Sequence, residues 1–102
     1  MTDIEISKAL ALAIGYLPVD VRIYSTIDDM PLVRRQAGAL STWRIFDYRD
    51  WNVIGPIAEK YNAFAMRSSK GTWSASTEQG NWADGLDTPQ KAMAMAVIGD
   101  EE

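Results

Sequence analysis

Between Ala63 and Gly85 the chain reads AFAMRSSKGTWSASTEQGNWADG, and two polar, glycine-bearing tetrads, Ser68-Ser69-Lys70-Gly71 and Glu78-Gln79-Gly80-Asn81, cut it into three short runs. Ala63 to Arg67, Thr72 to Thr77 and Trp82 to Gly85 each have strand length and are bounded by turn chemistry. The spacing predicts a three-stranded antiparallel meander. Side chains alternate across a strand, so one face is expected to carry Phe64, Met66, Trp73 and Ala75 and the other the polar trio Thr72, Ser74 and Ser76.

Downstream of the meander, Thr88 as N-cap and Pro89 at the first helical position open a last helix, and Gly99 before the acidic Asp100-Glu101-Glu102 is expected to stop it. Its stripe of Ala92, Met93, Ala96 and Val97 should lie on the apolar sheet face, the small residues allowing close approach. Upstream, Asp47 and Asp50 have N-cap chemistry and Ile54, Ile57, Ala58 and Tyr61 recur at helical spacing. This predicts a helix over about 49–61 that Gly55-Pro56 either kinks or starts, and that Asn62 closes. Ser25 to Thr42 shows no periodicity and reads as a long loop. Before it, Val19, Val21 and Ile23 alternate with Asp20, Arg22 and Tyr24 as in a half-buried strand. The chain opens with a helix over about 3–14, with a capping-box spacing at Thr2 and Glu5, apolar Ile6, Leu10, Ala13, Ile14 and Leu17, and Gly15 and Pro18 to end it. The predicted order is α-β-loop-α-β-β-β-α, an α+β domain with an antiparallel meander packed by helices.

The 102 residues suit a single domain over 1–102, and they include no cysteine and no histidine. That composition removes disulfides, thiolate metal sites, the commonest general base and the nucleophile–histidine arrangements. Carboxylates remain, but Asp28-Asp29, Asp47, Asp50, Asp84 and Asp87 all stand where turns and caps use them, and no nucleotide, calcium or zinc-protease pattern is present. No catalytic residue, metal or cofactor is therefore expected, and the protein reads as a non-enzyme. Ten Lys and Arg against fourteen Asp and Glu leave a net charge of -4, which argues against nucleic acid and anionic membranes as partners. With no apolar run of membrane-spanning length and an acidic start, an intracellular location is expected.

The densest run of interface chemistry is Trp43-Arg44-Ile45-Phe46-Asp47-Tyr48-Arg49-Asp50-Trp51, preceded by Arg34-Arg35. Trp, Tyr and Arg dominate binding energy at protein interfaces because they bury large area with few rotors and keep a polar handle. The expected partner-binding residues are Arg34, Arg35, Trp43, Arg44, Tyr48 and Arg49, with Arg34-Arg35 facing an acidic partner surface. A competing reading places Trp43, Phe46 and Trp51 in the core with Tyr48 and the arginines at its rim. The polar sheet face of Thr72, Ser74 and Ser76 is the next candidate surface.

From Trp51 onward the pattern Trp-x-x-x-Gly-Pro-Ile-x-Glu, then Trp73-Ser74-Ala75, then Thr88-Pro89 leading an alanine-rich helix into Val97-Ile98-Gly99-Asp100-Glu101, resembles small phage and prophage proteins of the NinX-like type. Ala9 to Tyr16 is similar to other phage open reading frames. The resemblance implies a phage accessory protein in the host-cell cytoplasm that binds a host protein; the missing catalytic patterns point to stoichiometric binding, and whether it acts as an inhibitor of a host or defence function stays open. It implies no catalytic residues, and partner identity and oligomeric state stay open. The order helix, three strands, helix over Arg49 to Ile98 is also that of a double-stranded-RNA-binding domain, the alternative function. That family clusters lysines at the start of its last helix, whereas Thr88-Pro89-Gln90-Lys91 carries one.

Overall fold

The computed structural model describes residues 2–23, 30–34 and 43–100. It is an α+β protein with three α-helices and two three-stranded antiparallel sheets, divided into one unit over 1–47 and another over 48–102.

In the first unit, α1 spans Asp3–Ala13 and begins with the expected capping box. Thr2 Oγ1 accepts from the Glu5 amide at 3.3 Å, and Glu5 Oε1 accepts from the Thr2 amide at 3.2 Å, satisfying donors that a helix start leaves open. Gly15, at φ 112°, turns the chain out of the helix. α1 buries Ile6, Ser7, Leu10 and Ala11 and packs on β1 (Val21–Ile23) and β2 (Pro31–Val33). Leu17, expected on the buried stripe, is exposed.

Two expectations in this unit need correction. Val19 belongs to a 3-10 turn over Pro18–Asp20 rather than a strand. Pro18 fixes its own φ near the value this turn requires, and the Asp20 amide closes the turn on the Leu17 carbonyl at 2.8 Å. Val19 is therefore exposed and Asp20 buried, the reverse of the alternation. Within the stretch read as a loop, Pro31–Val33 is the central strand of the first sheet. Three residues are too few to display a period, and Pro31 is tolerated because it is the first strand residue; its carbonyl accepts the Phe46 amide at 2.8 Å. β3 is Arg44–Ile45, within the aromatic run. The rest of the expected loop, 25–29 and 35–42, lies outside the described residues.

In the second unit, Asp50 caps α2 (Trp51–Tyr61), its carboxylate accepting from the Asn52 amide at 2.9 Å. The helix runs through Pro56 rather than starting there. Gly55 precedes the proline and has no Cβ to meet its ring, which removes much of the steric objection to helical backbone before proline. Asn62, in the left-handed conformation, closes the helix as expected. The meander follows as β4 (Phe64–Arg67), β5 (Trp73–Ser76) and β6 (Trp82–Leu86). α3 spans Pro89–Asp100, with the Thr88 hydroxyl accepting from the Lys91 amide at 3.2 Å. Gly99 lies inside its last turn rather than ending it.

α3 packs on all three strands of the meander and on α2. Ala92, Met93, Ala96 and Val97 are all buried, as the periodicity predicts, and Ala94 and Ile98 are buried with them. The expected sheet face is wrong in one respect. Phe64 pairs with Ser76 and Met66 with Ser74, whereas Ala65 pairs with Ala75 and Arg67 with Trp73. Residues directly opposite on neighbouring strands share a face, so Phe64 and Met66 lie on the serine face, away from fully buried Ala75. Small side chains at Ala65, Ala75 and Ala83 are what let α3 come close.

Candidate functional site

Each sheet has a face not used by the helix of its own unit, and the two faces differ in chemistry. On the first sheet, Arg22, opposite Leu32, and Leu32, opposite Ile45, form one row. Alternation places Arg34 and Trp43 on the same side. The Arg22 guanidinium sits 4.6 Å from the Trp43 ring centroid and that of Arg34 4.7 Å from it, so one indole receives two cations. Arg34 Nε also donates to Asp20 Oδ1 at 2.9 Å, and its amide donates to the Asp20 carbonyl at 3.1 Å. The Asp20 side chain is 4% exposed and that of Arg34 32%. A carboxylate this deep is held in the protein by its partner; Arg34 is that partner before it is anything else.

The sequence-predicted site is thus only partly assembled. Arg34 and Trp43 come together, joined by Arg22 and Asp20. Arg35 lies outside the described residues. Arg44, opposite Val33, is exposed at the edge on the other face of the sheet. Tyr48 and Arg49 belong to the second unit: Tyr48 is 2% exposed, among the largest fully buried side chains, and offers no surface to a partner. Arg49 is exposed, and its carbonyl accepts from Gln90. Among the aromatics of this run, Phe46 is buried with its ring edge-on to Tyr16 at 5.9 Å. Trp51, at the first position of α2, is 54% exposed, and Trp43 is half-buried. The reading that put Trp51 in the core and Tyr48 at its rim is reversed.

The open face of the second sheet carries what the sequence reading missed. Phe64, Ser76 and Trp82 form one row across β4, β5 and β6, and Met66 and Ser74 the next. Phe64, Met66 and Trp82 are each about half exposed, at 55%, 45% and 57%. Between Ala83 and Leu86 on β6 stand two residues, Asp84 and Gly85, against the single Ser74 between Ala75 and Trp73 on β5. This is a β-bulge, with Gly85 at φ 76°. Asp84 is exposed on the same side of β6 as Trp82. The signal lay in the first turn. Ser68 and Thr72 close a loop of three residues, Ser69, Lys70 and Gly71, through a 2.8 Å bond from the Ser68 amide to the Thr72 carbonyl, with Gly71 at φ 83°. Three-residue hairpin loops end in a left-handed glycine, and counting outward from Ser68 opposite Thr72 puts Phe64 opposite Ser76.

Among the described residues no group of three or more acidic side chains could hold a metal ion, and no helix is long and apolar enough to cross a membrane. No family model matches the chain, and no curated protein matches it in sequence.

Proposed function

We propose that this chain is a non-enzymatic binding protein that acts stoichiometrically on a partner protein, in the manner of the phage accessory proteins that its residues 51–101 resemble, and that the contact is made by the open face of the second sheet. The observation that carries the reading is the placement of Phe64, Met66 and Trp82 on one uncovered face. Aromatic and methionine side chains are enriched at protein interfaces, and a contiguous exposed apolar patch marks an interaction surface. The arginine- and aromatic-rich segment over 34–51 supports it less, because Tyr48 is in the core and Arg34 is occupied with Asp20. As a host-directed protein it would hold its target in the cytoplasm and block it by occupancy.

The test compares capture from bacterial lysate by the parent and by a Phe64→Ser/Trp82→Ser variant, both verified as folded by circular dichroism. A protein retained by the parent, lost by the variant, and reconstituted at one-to-one ratio from purified components by light scattering is the expected outcome. Equal capture by both moves the contact elsewhere, with Arg22 and Trp43 next in line.

A further inference from the structure

The same face carries enough chemistry to say what kind of partner group it takes, an inference that rests on its being the contact surface. Neighbouring strands lie about 4.8 Å apart, so Phe64 on β4 and Trp82 on β6 stand roughly 10 Å apart, with only Ser76 between them. In the next row Met66 lies opposite Ser74, whose side chain is buried, and Asp84 follows Trp82 by two residues on the same side of β6. The result is a shallow trough over Ser76, walled by the two exposed aromatic residues Phe64 and Trp82, with Met66 and Asp84 in the next row. Both rings keep more than half of their surface exposed, open to a flat group that stacks on either one.

The charges around the trough choose among flat groups. Asp84 has no ion-pair or hydrogen-bond partner among the described residues. Glu78, in the turn beyond Ser76, accepts one bond from Asn62 Nδ2 at 2.8 Å and is exposed. Arg67 pairs with Trp73 on the opposite face, and Lys70 lies in the turn at the other end. A phosphate or carboxylate entering here meets like charge in a chain of net charge -4, whereas a cation meets aromatic faces and an unpaired carboxylate together.

We infer that the trough is a receptor for a guanidinium of a basic partner segment. An arginine side chain is flat enough to stack on Trp82 or Phe64, rich enough in donors to reach the Ser76 hydroxyl, and charged to pair with Asp84. Ammonium would be accepted more weakly, lacking the plane that stacks.

The experiment is a titration of isotope-labelled protein with acetyl-Gly-Arg-Gly-amide into the millimolar range, followed by amide and indole NMR shifts. The expected result is saturable shifts at the Trp82 indole N–H and at the Ser74 and Ser76 amides, weakened several-fold by Asp84→Asn and lost with Trp82→Ala. Raising the ionic strength should weaken the binding further. The citrulline peptide, which keeps the plane and loses the charge, should bind several-fold less tightly, and acetyl-Gly-Glu-Gly-amide should leave the indole unmoved. The inference is overturned if the arginine and glutamate peptides shift the same signals equally, if the shifts map to Trp43, or if oligothymidylate binds this face more tightly than the arginine peptide. Should the peptide fail while the captured protein still depends on Phe64 and Trp82, the partner preference falls and the contact surface stands.

Discussion

The two sheets spend their aromatic and charged residues in opposite ways. On the first, Trp43 is flanked by Arg22 and Arg34, and Arg34 is anchored to buried Asp20, so the ring and the charges satisfy one another. On the second, Phe64 and Trp82 face outward over serines, and Asp84 has no partner among the described residues. Residue types alone favour the first as the binding surface, since it holds Trp and Arg in close sequence. Geometry favours the second, because a side chain already committed within the fold must break those contacts before it can serve a partner.

The largest effect that would sharpen this contrast is at Tyr48. Tyr48→Ala should cost roughly 3 to 5 kcal/mol in urea unfolding, as expected for a fully buried aromatic. A change below about 1 kcal/mol would mean that the ring is a surface group after all. Next come the two halves of the ion pair. Arg34→Ala strands a buried carboxylate and should cost on the order of 2 to 3 kcal/mol, whereas Asp20→Ala leaves an arginine that still reaches water and should cost about 1 to 2 kcal/mol. The order of the two unfolding midpoints is the readout, and a reversed order would show that Arg34 depends on Asp20 more than Asp20 on Arg34.

How far the fold was legible follows from the same residues. Capping chemistry at Thr2, Asp50 and Thr88 and the turns at Gly71 and Gly80 were readable because each is a local backbone requirement that a short side chain or a glycine meets on its own. Pro31–Val33 was not, since a three-residue strand acquires its identity only from β1 and β3 on either side. The site was less legible than the fold. Tyr48 and Trp51 are both large aromatics near a helix start, and which is buried depends on tertiary packing rather than on either side chain. The open face could have been found by counting from the three-residue loop, but composition pointed to its serines and away from Phe64 and Met66.

A smaller effect tests the open face directly. Trp82→Ala should change stability by less than about 1 kcal/mol, in contrast with Tyr48, because the ring keeps more than half of its surface in water. A loss comparable to that of Tyr48→Ala would show that Trp82 serves the fold rather than a partner. The smallest effect belongs to α1. The Thr2 side chain and then the Thr2 amide hydrogen-bond the Glu5 carboxylate and hold its pKa below the usual glutamate value. Because the folded value is lowered, the contribution to stability is complete above the ordinary glutamate range and disappears as pH falls through the folded value. NMR titration of Glu5 should find the lowered midpoint, and Thr2→Ala should return it toward the usual value.

The bulge at Asp84–Gly85 has a consequence for the life of the protein in a crowded solution. β6 is an edge strand of its sheet, and a regular edge beside exposed aromatic residues is a template on which a second chain can add a strand and begin a fibre. The extra residue breaks the even ladder of amides and carbonyls and increases the local twist, so an incoming strand meets an irregular edge. The protection is one-sided: β4, the other edge of the sheet, pairs in regular register and carries Phe64 and Met66, so strand addition is disfavoured at β6 and not at β4.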